Sequence, residues 1–412
     1  MSDRGFLEKL LDGASVEWLP LNQVLVRAKG TKITAGQMKA LNKEGAPLKI
    51  FAGGKTVAYV NFEDIPEKDI NLAPSIIVKS RGIIEFEYYD EPFSHKNEMW
   101  SYHSPNANIA IKYVYHFLKL NEPYFQGVGS KMQMPQISTP VTDNFLIPIP
   151  CPEDQEKSRA IQAEIVRILD SFTELTAELT AELTAELKAR KQQYNHYRDK
   201  LLSFEGADVE WKKLGEVATF RYGLAAKAKD TGDARFIRIS DIDGNGQLIT
   251  DGIKFVDLDT EAQRYILKRN DLLMARTGAT FGKTMIFRED YPAVFAGFLI
   301  KIDFESAVNP RYHWHFAQSS FFWDQANSLV SGGGQPQFNA NALQSVKLPI
   351  PFPNDPAKSL AEQEHIVAIL DRFDTLTTSL SEGLPREIKL RQQQYEYYRD
   401  LLLSFPKPEE AA

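Results

Sequence analysis

Met134-Pro135-Gln136-Ile137 opens a stretch that the chain writes a second time as Gln335-Pro336-Gln337-Phe338. From there matching residues stay 201 positions apart, without a gap, through to Phe204 and Phe405. Along this track Pro148-Ile149-Pro150-Cys151-Pro152 answers to Pro349-Ile350-Pro351-Phe352-Pro353, and Ile168-Leu169-Asp170 to Ile369-Leu370-Asp371. Arg190-Lys191-Gln192-Gln193-Tyr194 answers to Arg391-Gln392-Gln393-Gln394-Tyr395, and Tyr197-Arg198-Asp199 to Tyr398-Arg399-Asp400. A second echo, Val16-Glu17-Trp18 with Val209-Glu210-Trp211, runs at an offset of 193. A chain that carries one unit twice is expected to address a target that also has two parts.

The repeated stretches read as helices. Over residues 158–204, Ile161, Ile165, Ile168, Leu169, Phe172, Leu175 and Leu179 recur at spacings of three and four, with Ser158 as the predicted N-cap and no proline or glycine inside. Residues 359–404 give the sister helix, with Ile366, Ile369, Leu370, Phe373 and Leu376 on the same stripe. Gly383 and Pro385 predict a break there, because Pro385 lacks the amide that an internal turn needs. Two long helices with matching apolar seams are expected to bury those seams against each other rather than stand alone in solvent.

Inside the first helix lies a tetrapeptide run, Phe172-Thr-Glu-Leu175 followed by three Thr-Ala-Glu-Leu units ending at Leu179, Leu183 and Leu187. These residues are good helix formers, and a spacing of four sets the leucines on a row that drifts about 40° per step. Each unit adds about 6 Å of rise without changing the chemistry of the face. The run therefore reads either as a length adjuster or as plain helical filler.

Outside the helices, residues 1–150 and 206–350 read as two mixed α/β globules. The fold class is thus α+β, with globules at 1–150 and 206–350 and helical segments at 151–205 and 351–412 in a pseudo-two-fold internal repeat. Phe236–Ile239, Leu272–Ala275 and Phe298–Ile302 are predicted strands, and Tyr312–Ala326 a short aromatic helix. Ile76–Val78 and the helix Tyr113–Phe117 take comparable places in the first globule; beyond these anchors the two globules look unlike each other.

The net charge of −7 weighs against a nucleic-acid binder, but the acid sits mostly in the helical segments, leaving both globules close to neutral. A near-neutral domain can still turn a basic face to phosphate, since the electrostatic interaction follows local charge. A single cysteine, Cys151, excludes an internal disulfide. The seven histidines are scattered, which predicts no metal site. His313 and His315, two apart on the predicted helix, diverge and read as core or surface residues. Neither a signal peptide nor a membrane span is predicted, and a cytoplasmic location is expected.

Gly278-Ala-Thr-Phe-Gly282-Lys283-Thr284 ends like a phosphate-binding loop, but three residues separate its glycines where the nucleotide motif needs four. What remains is a strand followed by a Gly-rich turn that offers Arg276, Thr277 and Lys283 to a phosphate or a base edge, or else an ordinary hairpin. A second turn, Ser331-Gly-Gly-Gly-Gln335-Pro336-Gln337-Phe338-Asn339, has its counterpart in residues 127–136. Glutamine and asparagine can pair with adenine in bidentate fashion, although a purely structural turn reads equally well. Nothing resembles a catalytic centre: there is no Gly-x-Gly loop for a methyl donor, no Asn-Pro-Pro-Tyr or Asp-Pro-Pro-Tyr tetrapeptide and no nuclease-type acid cluster.

Taken together, the variable globules alternating with repeated helices, the Ile-Pro-Ile-Pro and Leu-Pro-Ile-Pro entries, the Ile-Leu-Asp stripe, the Tyr-Arg-Asp exits and the Thr-Ala-Glu-Leu run resemble the DNA-specificity subunit of type I restriction-modification enzymes, closest to the IC subgroup. That resemblance covers the whole chain. It implies a non-catalytic subunit in which each globule reads one half of a split, asymmetric site in double-stranded DNA, and the helices form an antiparallel coiled-coil spacer carrying Leu175, Leu179, Leu183 and Leu187. It also implies two modification subunits bringing S-adenosylmethionine and two restriction subunits using ATP and Mg. The alternative is a coiled-coil assembly scaffold that never touches DNA. Residues expected at the DNA are Lys55, Lys79, Arg81, Lys131, Gln133 and Gln136 in the first globule. In the second they are Arg276, Thr277, Lys283, Gln335, Gln337 and Asn339.

Overall fold

The structure is a computed structural model that describes residues 5–130, 134–204, 208–249, 251–331, 336–379 and 383–406. It divides into two compact units, Met1–Thr180 with Leu390–Ala412, and Ala181–Lys389.

In the first unit, strand Val16–Pro20 pairs antiparallel with Leu146–Pro150, setting Trp18 opposite Pro148. A four-stranded antiparallel sheet runs in the order Val26–Lys29, Trp100–His103, Ser75–Lys79, Glu85–Tyr89, and a three-stranded sheet in the order Val57–Val60, Leu48–Phe51, Phe93–His95. The second unit repeats the scheme. Val209–Lys213 pairs with Lys347–Pro351, setting Trp211 opposite Pro349. Its four-stranded sheet runs Ala218–Tyr222, Leu299–Phe304, Leu272–Ala275, Thr284–Ile286, and its three-stranded sheet Phe255–Val256, Ala234–Ile237, Ala293–Phe295. In both three-stranded sheets one pair is antiparallel and the other parallel. The two globules are therefore one fold. Their sequences look unlike because a buried strand asks only for apolar bulk, which different residues supply equally well.

Repeated polar anchors hold each globule to its helix. Gln162, fully buried, accepts from the Ala110 amide at 2.9 Å and donates to the Asn108 carbonyl at 3.2 Å. Gln363, also fully buried, accepts from the Asn309 amide at 2.9 Å and donates to the Ala307 carbonyl at 3.1 Å. Asp170 takes Lys112 at 2.8 Å and His116 at 2.9 Å, while Asp371 takes Arg311 at 2.7 Å and His315 at 3.0 Å. The other ring nitrogen of His315 meets the Tyr194 hydroxyl at 2.9 Å. The aromatic helix expected over Tyr312–Ala326 is two helices, Pro310–Phe316 and Ser320–Leu329, because Ser319 stops one and caps the next.

The central helix spans Gln155–Ser203, 49 residues or about 74 Å. It begins before Ser158: the Asp154 carboxylate accepts the Glu156 and Lys157 amides, so Asp154 is the cap, while Ser158 lies inside and bonds Gln162. The C-terminal helix is two pieces, Pro356–Thr378 and Leu384–Leu402, as Gly383 and Pro385 predict. In the first unit Phe172 stacks on Tyr398 (5.3 Å, 10°) and the Thr173 hydroxyl reaches the Tyr395 hydroxyl at 3.2 Å, so the central helix meets the last part of the C-terminal helix there. In the second unit the corresponding pair, Phe373 and Tyr197, stacks at 5.6 Å. Leu402, Leu403 and Phe405 enter the first unit's core, and Tyr194 and Leu202 the second's.

The apolar seam is uneven. Ile161, Ile165 and Leu169 are buried, whereas Leu175 is 51% exposed and Leu179, Leu183 and Leu187 are only half-buried. No helix among the described residues is long and apolar enough to cross a membrane.

Candidate nucleic-acid interface

The repeated Pro-Gln pair acts as a clasp on the end of a central strand. In the first globule the strand Ser75–Lys79 continues into Ser80-Arg81-Gly82; Ile137 donates to the Ser80 carbonyl (3.0 Å) and Gly82 to the Pro135 carbonyl (2.9 Å), which bridges Arg81 with Gln136. In the second, Leu272–Ala275 continues into Arg276-Thr277-Gly278. Phe338 donates to the Arg276 carbonyl (2.8 Å) and Gly278 to the Pro336 carbonyl (2.9 Å), bridging Thr277 with Gln337. Two sets of the expected residues thus come together, Arg81 with Gln136 and Arg276 and Thr277 with Gln337.

The remaining expected residues fall elsewhere. Lys55 is exposed on the hairpin between Leu48–Phe51 and Val57–Val60. Lys79 is not offered to solvent: it is 8% exposed and its ammonium lies between Glu85 (2.5 Å) and Glu87 (2.7 Å). Burial pulls its pKa down, but the hydrogen bonds it donates to both carboxylates, with their charge, outweigh this and hold it above the ordinary lysine value. Thr277 is buried. Lys283 lines a separate cleft of about 240 Å³ beside Lys191, Arg198 and Asp374. Asn339 caps the helix Ala340–Ser345 by accepting the Ala342 amide at 3.0 Å, so its carbonyl oxygen is engaged. Lys131, Gln133 and Gln335 lie outside the described residues.

Each globule also carries a groove at the same place in its fold, where the strand after the tryptophan strand leaves the four-stranded sheet. Gly30 and Gly223 sit at the two equivalent bends. A Cβ on Gly30 would collide with the His95 and Lys96 carbonyl oxygens, and one on Gly223 with those of Phe295 and Ala296, so only glycine lets the backbones approach this closely. The first groove, about 770 Å³, is lined by Arg27, Lys29, Lys32, Lys68, Gln37 and Asn97 among others. Arg27 leans on Asp143 at 3.4 Å. The second, about 890 Å³, is lined instead by Tyr222, Phe298, Arg276, Arg238 and Lys227 among small apolar residues. One groove is polar and charged, with Asp64 and Asp69 beside its four cations, the other aromatic.

Within the second groove, Arg276 is held from several sides. Its Nε donates to the Gly297 carbonyl at 3.1 Å, and its guanidinium carbon stands 5.0 Å from the Tyr222 ring centre and 5.4 Å from that of Phe298. Tyr222 is itself fixed, its hydroxyl accepting the Ala340 amide at 3.1 Å. Arg238 is paired with Asp241 at 2.6 Å, whereas Arg276 has no carboxylate partner among the described residues.

The family model of the type I restriction modification DNA specificity domain matches this chain twice, over residues 28–189 and 207–390. The chain belongs to that family. It is 36% identical to the specificity subunit of the type I restriction enzyme EcoR124I/EcoR124II of Escherichia coli, covering 99% of both chains. It is 32% identical to the EcoprrI specificity subunit, also of Escherichia coli, covering 93% of each. The fold matches a chain solved in work on complex assembly and conformational transition of the type I R-M system, with TM-score 0.61 over 94% of this chain and 97% of that one at 15% identity. It also matches the S subunit of M. genitalium, with TM-score 0.50 over 96% and 98%.

The family's two matches correspond to the two globules with their helices. What the residue patterns did not single out is the pair of grooves. A signal was present: carrying the offset of 193 forward from Trp18 and Trp211 aligns Gly30 with Gly223, the two bends at which the grooves open.

Proposed function

We propose that the chain is the target-choosing, non-catalytic subunit of a type I restriction-modification complex, with residues 1–150 and 206–350 each reading one half of a split site in duplex DNA. Segments 151–205 and 351–412 set the number of unspecified base pairs between the halves. Two modification subunits with S-adenosylmethionine and two restriction subunits with ATP and Mg supply the chemistry. One observation carries this reading: a single fold, used twice, presents unlike groove linings at one equivalent place. A symmetric scaffold that never meets DNA has no use for that difference.

In this reading the groove cations Lys29 and Lys32, together with Lys55 and Arg81, meet phosphates, because lysine and arginine supply the sequence-independent attraction. Gln136, Arg276 and Gln337 face base edges, and Lys131, Gln133 and Gln335, outside the described residues, are proposed to contact DNA as well. The near-neutral globules give modest affinity alone, and partner subunits add the rest.

The test is exchange. Residues 206–350 are replaced by the corresponding segment of a relative, the complex is reconstituted with its modification partner, and methylated adenines are mapped across a genome or a randomised library. One half of the recognised sequence is expected to change and the other to stay. Change in both halves, or in neither, refutes the assignment of one globule to each half.

A further inference from the structure

We propose that Arg276 is the guanine reader of the C-terminal globule, a role that rests on the DNA-reading assignment above. An arginine on a protein surface samples many rotamers, and ordering it on a target loses entropy. Arg276 is already ordered. Its main chain is fixed on both sides, by its amide to the Phe298 carbonyl at 3.1 Å and its carbonyl to the Phe338 amide at 2.8 Å. Its side chain is fixed by the Nε bond to Gly297 and by the rings of Tyr222 and Phe298.

With Nε engaged and the Tyr222 and Phe298 rings beside the guanidinium, its two terminal nitrogens have no hydrogen-bond partner among the described residues and are available to a ligand. Two parallel N–H donors in one plane match the O6 and N7 acceptors of guanine in the major groove. The same fork also matches a phosphate. The surroundings favour the base. Phe298 is 55% exposed and Tyr222 43% exposed, and the groove around them is mainly small and apolar, which suits the flat, weakly hydrated surface of a base pair rather than a solvated phosphate. The neighbouring guanidinium, Arg238, is neutralised by Asp241, which leaves Lys227 as the groove's other cation without a carboxylate partner among the described residues.

Among the described residues, the first globule does not repeat this device at the equivalent place. Following the clasp and the glycine bend, Ser80 stands where Arg276 does and Lys29 where Tyr222 does, and the Ser80 hydroxyl is spent on the Glu98 carbonyl at 2.6 Å. Among the described residues, a guanidinium held beside two rings is found at this place in the C-terminal globule and not at its equivalent in the first.

The experiment compares the methylated-site profile of the wild-type complex with those of Arg276→Ala and Arg276→Lys, each assembled with its modification partner and assayed at several salt concentrations. The wild type is expected to require a G·C pair at one position of the half-site assigned by globule exchange. Arg276→Ala is expected to relax that one position, lowering discrimination there by roughly 5- to 150-fold, the contribution of one bidentate pair. Arg276→Lys keeps the charge and loses the fork, so it is expected to relax the same position while retaining the salt dependence. Continued methylation of the unaltered half-site in both variants reports that they fold. The proposal is overturned if the wild-type half-site contains no G·C pair, or if Arg276→Ala weakens every site alike and lowers the salt slope by about one phosphate's worth. Either result leaves the DNA-reading assignment standing. If exchange of residues 206–350 leaves both halves unchanged, it is that assignment which fails.

Discussion

Deleting Thr180–Leu183 removes one tetrapeptide from the central helix between two aromatic anchors, Phe172 on Tyr398 and Tyr197 on Phe373. Each anchor lies within its own unit and is untouched. The 25 residue steps from Phe172 to Tyr197 rise about 37 Å, and the deletion takes away about 6 Å together with a net turn of about 40°. DNA advances about 3.4 Å per base pair and turns about 35°, so the translation asks for about two base pairs fewer and the rotation for about one. The preferred spacer is therefore expected to shorten by one or two base pairs. Stability should hardly change, since Ala181 and Glu182 are exposed and Thr180 and Leu183 only half-buried, and the shortened helix keeps its good formers. Inserting a further Thr-Ala-Glu-Leu after Leu187 should lengthen the spacer by the same amount. The assay is methylation, by the reconstituted complex, of duplexes that share both half-sites and differ only in spacer length. An optimum that stays where it was, or a change in either half-site, refutes the idea that these repeats measure distance.

Two expectations concern how the globules are held. Gln363→Ala orphans the Asn309 amide and the Ala307 carbonyl, which should cost about 2–4 kcal/mol in urea unfolding; a loss below about 0.5 kcal/mol would sink the anchoring argument. Burial pushes His313 down to about 3, and neither ring nitrogen has a hydrogen-bond partner among the described residues. Because the folded value lies below the unfolded one of about 6.5, the unfolded chain takes the proton first. Its contribution is complete above about pH 6.5 and is lost as the pH falls towards 3, by about 2 kcal/mol at pH 5. His313→Leu should flatten the fall in urea midpoint between pH 7 and pH 5, and an unchanged slope counts against it.

The sequence by itself determined the two-fold plan, the long central helix and the break at Gly383 and Pro385, because these depend on local properties: apolar spacing, the missing proline amide, and exact recurrence of residues 201 apart. It also marked the Pro-Gln turns that clasp Arg81 and Arg276. Tertiary structure decided the rest. That the unlike globules share one strand order is invisible in single residues, since sheet pairing is set by contacts far apart in sequence. Lys79 looked as available as Arg81 until Glu85 and Glu87 on the neighbouring strand enclosed it. Arg276, Tyr222 and Phe298 stand far apart along the chain, and only the pairing of Ala218–Tyr222 and Leu272–Ala275 with Leu299–Phe304 brings a guanidinium beside both rings. Charge and aromaticity are written in the sequence, but which of them face a common ligand is fixed by the folded backbone.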